Sequence, residues 1–196
     1  MHRHFIFNKP FNCLSQFVFE GKRKTNKRLL GQFYDFPKGT MAVGRLDNDS
    51  EGLLLLTTDG LLSEAVRSAK FEKEYYVMLS GEITDEALLA LENGVEIGFE
   101  GKKYITKPCK AKRIVSPTNK CIPERKVRNE NHKTNSWISI IITEGKFRQV
   151  RKMTAAVGFP TLRLIRMRIG NLSLELETEY VKELTETQLQ LLQSQL

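Results

Sequence analysis

The residues best suited to chemistry are concentrated in one short stretch, 44–52, which reads Gly-Arg-Leu-Asp-Asn-Asp-Ser-Glu-Gly. This stretch, the acidic turn, carries one cation and three carboxylates: Arg45, Asp47, Asp49 and Glu51. Apolar residues 41–43 precede it and four leucines, 53–56, follow it, a pattern typical of buried strands on either side of a turn. Charges at the edge of a core are costly unless they are paired or take part in chemistry.

Three interpretations of these carboxylates are open. The spacing Asp47-x-Asp49-x-Glu51 is similar to the start of a calcium loop, but such a loop needs a bidentate Glu at its twelfth position and a helix on each side. Thr58 occupies that position and both flanks are predicted strands, so calcium binding is disfavoured. In a second interpretation the side chains accept hydrogen bonds from the backbone of the turn. In the third, an ionised aspartate faces RNA and acts as a nucleophile or a general acid/base on a base or sugar.

The charge balance favours a polyanionic partner. The 196 residues include 31 Lys and Arg against 23 Asp and Glu, a net charge of +8 that suits nucleic acid or an anionic membrane but also arises from lysines that only aid solubility. Residues 102–133 contain eleven Lys or Arg against two acids, and residues 21–28 contain five cations and no acid. We interpret these segments, including a polar basic loop at 116–136, as arms that contact RNA, with solvated loops as the alternative.

Cysteine usage and hydropathy disfavour several other classes. The three cysteines, Cys13, Cys109 and Cys121, lie far apart without a Cys-x-x-Cys pair, so neither a disulfide framework nor a zinc site is predicted. No apolar run approaches the ~20 residues needed to cross a bilayer. The N-terminus lacks the apolar region and cleavage site of a secretory peptide. We therefore expect a cytoplasmic protein that binds neither a membrane nor a metal.

Strands and short helices alternate along the chain and must position the acidic turn. Strands are predicted at 13–17, 73–79, 95–97, 104–105, 111–115, 137–143 and 162–169, with an edge strand at 5–7 that Pro10 ends. Helices are predicted at 61–68, at 85–93 between Thr84 and Gly94, at 148–157, and at the C-terminus after the capping box of Thr185 and Gln188.

The segment 162–169 alternates leucine, isoleucine and methionine with Arg163, Arg166 and Arg168, so one face is expected to be core and the other arginine. The whole order of elements predicts an α+β fold with a largely antiparallel mixed sheet flanked by short helices. We expect residues 1–196 to form one domain.

Five strings of this sequence match, in order, the motifs of one enzyme family. Residues 44–54 resemble the central motif of the RsuA-type pseudouridine synthases, and Lys-x-Tyr-x-Val at 73–77 resembles the second motif of that family. The run at 144–153 resembles the third motif, and Asn-Lys-Pro at 8–10 and Leu-x-Arg-x-x-Ile-Gly at 164–170 also match. The resemblance extends from about residue 5 to residue 184.

The resemblance implies two subdomains around a central cleft and an activity without cofactor or metal. In that activity the N1–C1′ bond of a uridine in RNA is cut, and the uracil is turned and rejoined through C5. The most similar branch of the family acts on large-subunit ribosomal RNA, which is the partner expected here. No S4-like RNA-binding domain is predicted, so the basic surface of a monomeric catalytic domain is expected to bind RNA. A catalytically silent RNA-binding module of the same fold is the alternative.

The resemblance assigns Asp47, Tyr75 and Arg151 to catalysis. Because a base inside a duplex cannot be reached, the uridine must be flipped into a pocket, and Arg45 is expected to fill the vacated stack. An ion pair between Arg45 and a carboxylate of the turn is the alternative. Tyr75 would stack on the uracil and offer a hydroxyl for proton transfer, while Arg151 would pair with Asp47 and keep it ionised.

The remaining assignments concern RNA contacts and the uracil pocket. Lys73, Lys146 and Arg148 are expected to contact phosphates and set the register without reading sequence, with solvated surface charges as the alternative. Lys9 and Lys152 are also assigned to RNA binding. Leu164 is expected to line the uracil pocket, although core packing would explain it equally well.

Overall fold

The protein is described by a computed structural model that covers residues 2–19, 26–68, 71–127 and 134–196. Its helices in these ranges are α1 (Gly60–Ser68), α2 (Asp85–Asn93), α3 (Gln149–Ala156) and α4 (Glu186–Gln193). Its strands are β1 (His4–Lys9), β2 (Met41–Val43), β3 (Glu51–Thr57), β4 (Lys73–Ser80), β5 (Glu96–Phe99), β6 (Lys102–Ile105), β7 (Lys110–Ile114), β8 (Asn135–Ile142), β9 (Thr161–Ile169), β10 (Leu172–Ser173) and β11 (Val181–Glu183). Within the described ranges, no helix is both long and apolar enough to cross a membrane.

Nine of these strands form one mixed sheet in the order β11-β1-β3-β9-β4-β8-β7, with β2 paired to β3 and β10 paired to β9. The neighbours run antiparallel except β3 and β9, which are parallel. The strands β5 and β6 form a separate antiparallel hairpin. The predicted α+β class with a largely antiparallel mixed sheet is therefore confirmed.

The parallel contact between β3 and β9 joins two antiparallel halves of the sheet. It is short, with Glu51 opposite Ile165 and Gly52 opposite Arg166. Gly52 has φ +98°, and a Cβ there would lie 2.4 Å from the carbonyl oxygen of Arg166. Only glycine fits so close an approach of two backbones. The acidic turn leads directly into this junction.

The core lies on both faces of the sheet. In β3, Leu53 and Leu55 pack on one face with helices α1 and α4, while Leu54 and Leu56 pack on the other face with aromatic residues of β1. The predicted burial of this leucine run is confirmed. A further apolar cluster, formed by β4, β8, α2 and α3, lies below a cleft next to the acidic turn.

The helix ends predicted from capping signals are confirmed. Thr84 Oγ1 accepts a hydrogen bond from the backbone N–H of Ala87, and α2 ends at Gly94. Thr185 and Gln188 form the reciprocal capping box of α4. By contrast, α3 starts one residue later than predicted because Arg148 is in the left-handed conformation. These signals were reliable because each is contained within a few residues of sequence.

Two strand predictions at the N-terminus were wrong. The strand β1 is not an edge strand, because Phe5 lies opposite Leu56 on one side and Glu183 on the other. Residues 13–17 form no strand, and only Cys13 makes an isolated bridge to Arg28. The partner of β1 comes from the far end of the chain, which no local pattern reveals.

The prediction that arginines form the face of β9 opposite the core is also corrected. Arg163 and Arg166 are both almost completely buried, and Arg163 pairs with Glu51 of β3. A buried arginine is stable when its charge and N–H groups find partners, and here those partners come from another strand.

The polar loop is anchored to the core in its described part. Ile122 is buried, the carbonyl of Cys121 accepts a hydrogen bond from Asn8, and Arg125 reaches Glu51. Residues 121–125 of this loop are therefore tied to the core, and the expected contact of the loop with RNA stays a prediction. Residues 128–133 of this loop, and most of the basic segment 21–28, lie outside the described residues.

Candidate active site

A cleft of about 580 Å³ opens beside the acidic turn. Its walls are residues 14–16, the turn itself, the start of β4 and the loop 145–150. Most of the predicted site residues line this cleft: Arg45, Asp47, Lys73, Tyr75, Lys146, Arg148 and Leu164. They come from four separate stretches of the chain, the last of which is β9. Arg151, Lys152 and Lys9 do not line it.

Asp47 presents a carboxylate to the cleft that no arginine holds tightly. Its side chain is 25% exposed, and Nη1 of Arg148 lies 3.5 Å from Oδ2. Burial raises the pKa of this carboxyl above its usual range, Arg148 acts in the opposite direction, and the neighbouring Asp49 adds to the rise. Such a carboxylate is a stronger base than one in water and keeps a cation nearby to stabilise its charge.

Asp49 is a counter-ion for two arginines. Arg148 donates two parallel hydrogen bonds to its carboxylate, each 2.8 Å long, while Nη2 of Arg151 lies 3.5 Å from Oδ2. The bonds from Arg148 lower the pKa of Asp49, as expected for a bidentate pair. Asp49 therefore stays ionised and fixes the guanidinium of Arg148 next to Asp47.

The predicted pairing of Arg151 with Asp47 is corrected. Nη2 of Arg151 donates to the backbone carbonyl of Asp49 at 2.7 Å, and the closer cation to Asp47 is Arg148. The reason is local: Arg148 has φ 52° and precedes the first turn of α3, so its side chain crosses to the acidic turn. Arg151 lies further into the helix, where burial lowers the pKa of its guanidinium.

Two residues that were not among the predicted site residues hold the backbone of the turn. Ser15 Oγ accepts a hydrogen bond from the N–H of Leu46 at 3.1 Å and donates to its carbonyl at 2.8 Å. Arg166 donates to the carbonyls of Gly44 and Leu53, which lie at the two ends of the turn. Arg166 belongs to one of the matched strings, whereas nothing in the local sequence distinguishes Ser15.

The carboxylate of Glu51 pairs with residues other than Arg45. This buried carboxylate binds Arg163 at 2.7 Å and Arg125 at 3.1 Å. Among the described residues, neither Asp49 nor Glu51 pairs with Arg45, which is exposed and lines the cleft. The structure therefore favours a cleft contact for Arg45 over the ion-pair alternative.

Tyr75 and Leu164 form the apolar floor of the cleft. Both are buried and pack with Leu46 in one cluster, while Tyr75 lies opposite Arg166 across the β4–β9 pair. Lys73 starts the same strand, donates to the carbonyl of Phe71 at 2.9 Å, and has its pKa lowered by burial and by Arg166. The two faces of a pyrimidine base are flat π surfaces, with the polar carbonyl and N–H groups at the ring edge, and a floor of this kind suits such a face.

The other predicted cations differ in position. The Lys146 ammonium lies 4.8 Å from the ring of Phe99 and 5.1 Å from that of Tyr104, at the wall of the cleft. Lys152 donates to the carbonyl of Gly98, away from the cleft lining.

Lys9 is fully buried and donates to the carbonyls of Pro10 and Cys13. Burial lowers the pKa of this ammonium to about 8. A contact between Lys9 and RNA phosphate, predicted from the sequence, is therefore wrong for this conformation. Its hydrogen bonds instead stabilise the chain that leads from β1 to Ser15.

The carboxylates of the acidic turn do not converge on a common point. Asp49 and Glu51 bind different arginines, and in the described part of the chain no three His, Cys, Asp or Glu side chains form a group that could hold a metal ion. The calcium interpretation of the spacing therefore finds no support in the geometry.

The family model described as RNA pseudouridylate synthase matches residues 3–156, more than half of the chain. The chain belongs to the RNA pseudouridylate synthase family. The family predicted from five short strings is thereby confirmed, together with the enzyme class, an isomerase that acts on RNA.

Similar pseudouridine synthases cover most of the chain. Ribosomal large subunit pseudouridine synthase E of Vibrio parahaemolyticus is 42% identical over 173 residues, which are 86% of this chain and 68% of that protein. The protein of the same name from Xanthomonas axonopodis pv. citri is 40% identical, with 87% of each chain covered. A crystal structure of a pseudouridylate synthase matches with a TM-score of 0.76 at 28% identity, over 98% of this chain and 74% of that one. The pseudouridine synthase fold is therefore confirmed.

Proposed function

We propose that this pseudouridine synthase converts a uridine of large-subunit ribosomal RNA to pseudouridine, with Asp47 as its catalytic carboxylate. Relatives at 40% and 42% identity whose names state the ribosomal large subunit support this substrate. One observation carries the role of Asp47: this carboxylate of the acidic turn faces the cleft without a bidentate arginine, whereas Asp49 and Glu51 each have one.

Asp47 can start the reaction by two routes. It can attack C1′ of the ribose and release uracil as an anion, or it can remove the C2′ proton so that uracil leaves by elimination. In the first route C5 of the turned uracil displaces the Asp47 carboxylate from C1′, and in the second C5 bonds to C1′ of the glycal while C2′ regains its proton. In both routes C5 then loses its proton and N1 takes one up, so that the product is an isomer of the substrate. Both need an ionised carboxylate with little hydration, which partial burial beside Arg148 provides.

Tyr75 and Leu164 support the proposal as the surface on which a flipped uracil would rest. The Tyr75 ring is buried in the floor, so its conformation is fixed before RNA binds. Its hydroxyl is a group in the floor that could accept or relay the C5 proton. Arg45, at the exposed rim, is assigned to the space that the flipped uridine leaves in the RNA.

The cations in and next to the cleft divide into two groups. Arg148 and Arg151 are committed to the acidic turn, so we assign them to the orientation and ionisation of Asp47 rather than to phosphate. Arg45, Lys73 and Lys146 line the cleft without a carboxylate partner among the described ion pairs, and we assign them to RNA. One chain supplies every assigned residue, so we expect a monomer that works in the cytoplasm, on free ribosomal RNA or an assembly intermediate.

The substrate can be tested by mapping the product. Unmodified ribosomal RNA from both subunits is incubated with the enzyme, and pseudouridine is located by carbodiimide labelling and primer extension. One new stop in large-subunit RNA is expected, either on the free RNA or on ribosomal assembly intermediates. Stops confined to small-subunit RNA would contradict the substrate, and a blank on all of these RNAs and particles would overturn the proposed function.

A further inference from the structure

Phe147 is a large apolar side chain that the fold leaves in water at the mouth of the cleft. It is 67% exposed and contributes to the same cleft lining as Asp47 and Arg45. Neither the acidic turn nor the hydrophobic clusters use it. An exposed aromatic ring beside a binding cleft is more informative than one elsewhere, because such rings supply contact area at little entropic cost.

The loop that carries Phe147 is fixed on both sides. Glu144 accepts hydrogen bonds from the Tyr104 hydroxyl and from the backbone N–H of Lys107. The backbone N–H of Gln149 donates to the carbonyl of Lys146, while the Gln149 side-chain oxygen accepts from the Lys146 N–H. Arg148, the next residue, is held by Asp49. The ring is therefore presented by a rigid loop, and little ordering is needed when a ligand binds.

Two lysines lie near this ring. Nζ of Lys152 lies 5.5 Å from the ring centroid, and Lys146, the preceding residue, lines the same cleft. An aromatic face next to several cations is the arrangement with which proteins bind single-stranded nucleic acid, because the base stacks on the ring and the phosphates meet the cations. A partner that is apolar but uncharged would gain nothing from these cations.

We propose that Phe147 is a stacking platform for a base of the substrate RNA that neighbours the flipped uridine. This proposal rests on the proposed function, since it takes RNA as the substrate. Extrusion of the uridine leaves an adjacent base without one of its stacking partners. Arg45 is assigned to the position that the flipped uridine leaves. Phe147 stacks on the neighbouring base, so the enzyme favours RNA in which that base can unstack.

The test uses a fragment of ribosomal RNA around the mapped uridine, with 2-aminopurine placed in turn at each flanking nucleotide. Stacking on an aromatic ring quenches this fluorophore, so one flanking position is expected to be quenched by the wild-type enzyme and not by Phe147→Ala. Phe147→Ala is expected to weaken RNA binding about five- to one-hundred-fold. Phe147→Trp is expected to restore both affinity and quenching.

Two controls separate stacking from other effects. Tyr180 is 62% exposed and lies outside the cleft lining, so Tyr180→Ala is expected to bind RNA as the wild type does. The salt dependence of binding is expected to be the same in Phe147→Ala as in the wild type, because no phosphate contact is removed.

The outcomes separate the two proposals. If the wild-type enzyme modifies the RNA but Phe147→Ala binds it with unchanged affinity and quenching, the stacking platform is refuted and the ring is left for a protein contact. If the wild type modifies no ribosomal RNA, the proposed function itself fails.

Discussion

Asp47 and Asp49 lie two residues apart in one turn, and their surroundings give them opposite properties. Burial raises the pKa of Asp47, whereas the bidentate contact with Arg148 lowers that of Asp49. The same guanidinium also reaches Asp47 at 3.5 Å, so Asp49 sets the position of the cation that stabilises its neighbour. One carboxylate is thus kept reactive by the other.

Replacement of Arg148 should shift the pH dependence of the enzyme. In Arg148→Gln the cation that opposes burial is lost, so the pKa of Asp47 rises further and the acidic limb of the kcat/KM profile moves to higher pH. The measurement is single-turnover pseudouridine formation across the acidic range. Arg125→Gln is the matched control, since Arg125 pairs with Glu51 instead. An unchanged limb in Arg148→Gln would contradict the assignment.

The sequence was most informative about side chains that belong to motifs and least informative about their partners. Arg45, Asp47, Tyr75 and Leu164 were predicted as site residues and line the cleft. The counter-ion of Asp47 was misassigned, because whether Arg148 or Arg151 faces the turn depends on a left-handed residue at the start of α3. Ser15 was missed, since a serine that binds the backbone of one residue far along the chain leaves no local pattern.

At the scale of the elements, the acidic turn is held from three directions. Ser15 binds its backbone from the N-terminal segment, Arg166 from β9 and Arg151 from α3. The turn leads into β3 at the place where the two halves of the sheet meet. This place is the short parallel contact between Gly52 and Arg166. Displacement of β9 would therefore move the carboxylate of Asp47.

A methyl group at Gly52 should destabilise this junction. In Gly52→Ala the new Cβ would lie 2.4 Å from the carbonyl oxygen of Arg166, and φ +98° is unfavourable for alanine. We expect a loss of about 2–4 kcal/mol in the free energy of unfolding, measured by urea denaturation. Gly31→Ala is the control, because a Cβ at Gly31 meets nothing within 4 Å. Equal stability of the two variants would show that the junction can relax.

Helices and the buried leucine strand could be predicted because caps and hydrophobic runs are local. The position of β1 inside the sheet could not, because Phe5 pairs with Glu183 near the other end of the chain. The burial of Arg163 was missed for the same reason, since its partner Glu51 lies on another strand. Long-range pairing, not local propensity, decided each of these cases.

At the scale of the whole molecule, the cations behind the net charge of +8 have different roles. Several arginines form ion pairs within the protein, such as Arg163 with Glu51 and Arg168 with Glu72 and Glu74. Arg45, Lys73 and Lys146 line the cleft and form no ion pair among those of the described residues. Charge near the site, rather than total charge, should therefore govern RNA binding.

The salt dependence of RNA binding tests this distribution. Each phosphate contact that is lost should lower the slope of log Kd against log salt concentration by about one. We expect this change in Lys73→Gln, whose side chain lines the cleft. Lys182→Gln, on β11 and outside the cleft lining, should retain the wild-type slope. The reverse pattern would place the RNA on another surface.

We assign the chemistry to Asp47, and the release of tritium from C5 of labelled uridine measures that chemistry directly. Under single-turnover conditions, Asp47→Asn should lose about 10²–10⁴-fold or more in rate while RNA binding stays equal or becomes tighter, because a negative charge is removed from an RNA-facing cleft. Asp35→Asn, at an exposed position outside the cleft, should react as the wild type does. Tritium release by Asp47→Asn at a rate close to that of the wild type would contradict this role of Asp47.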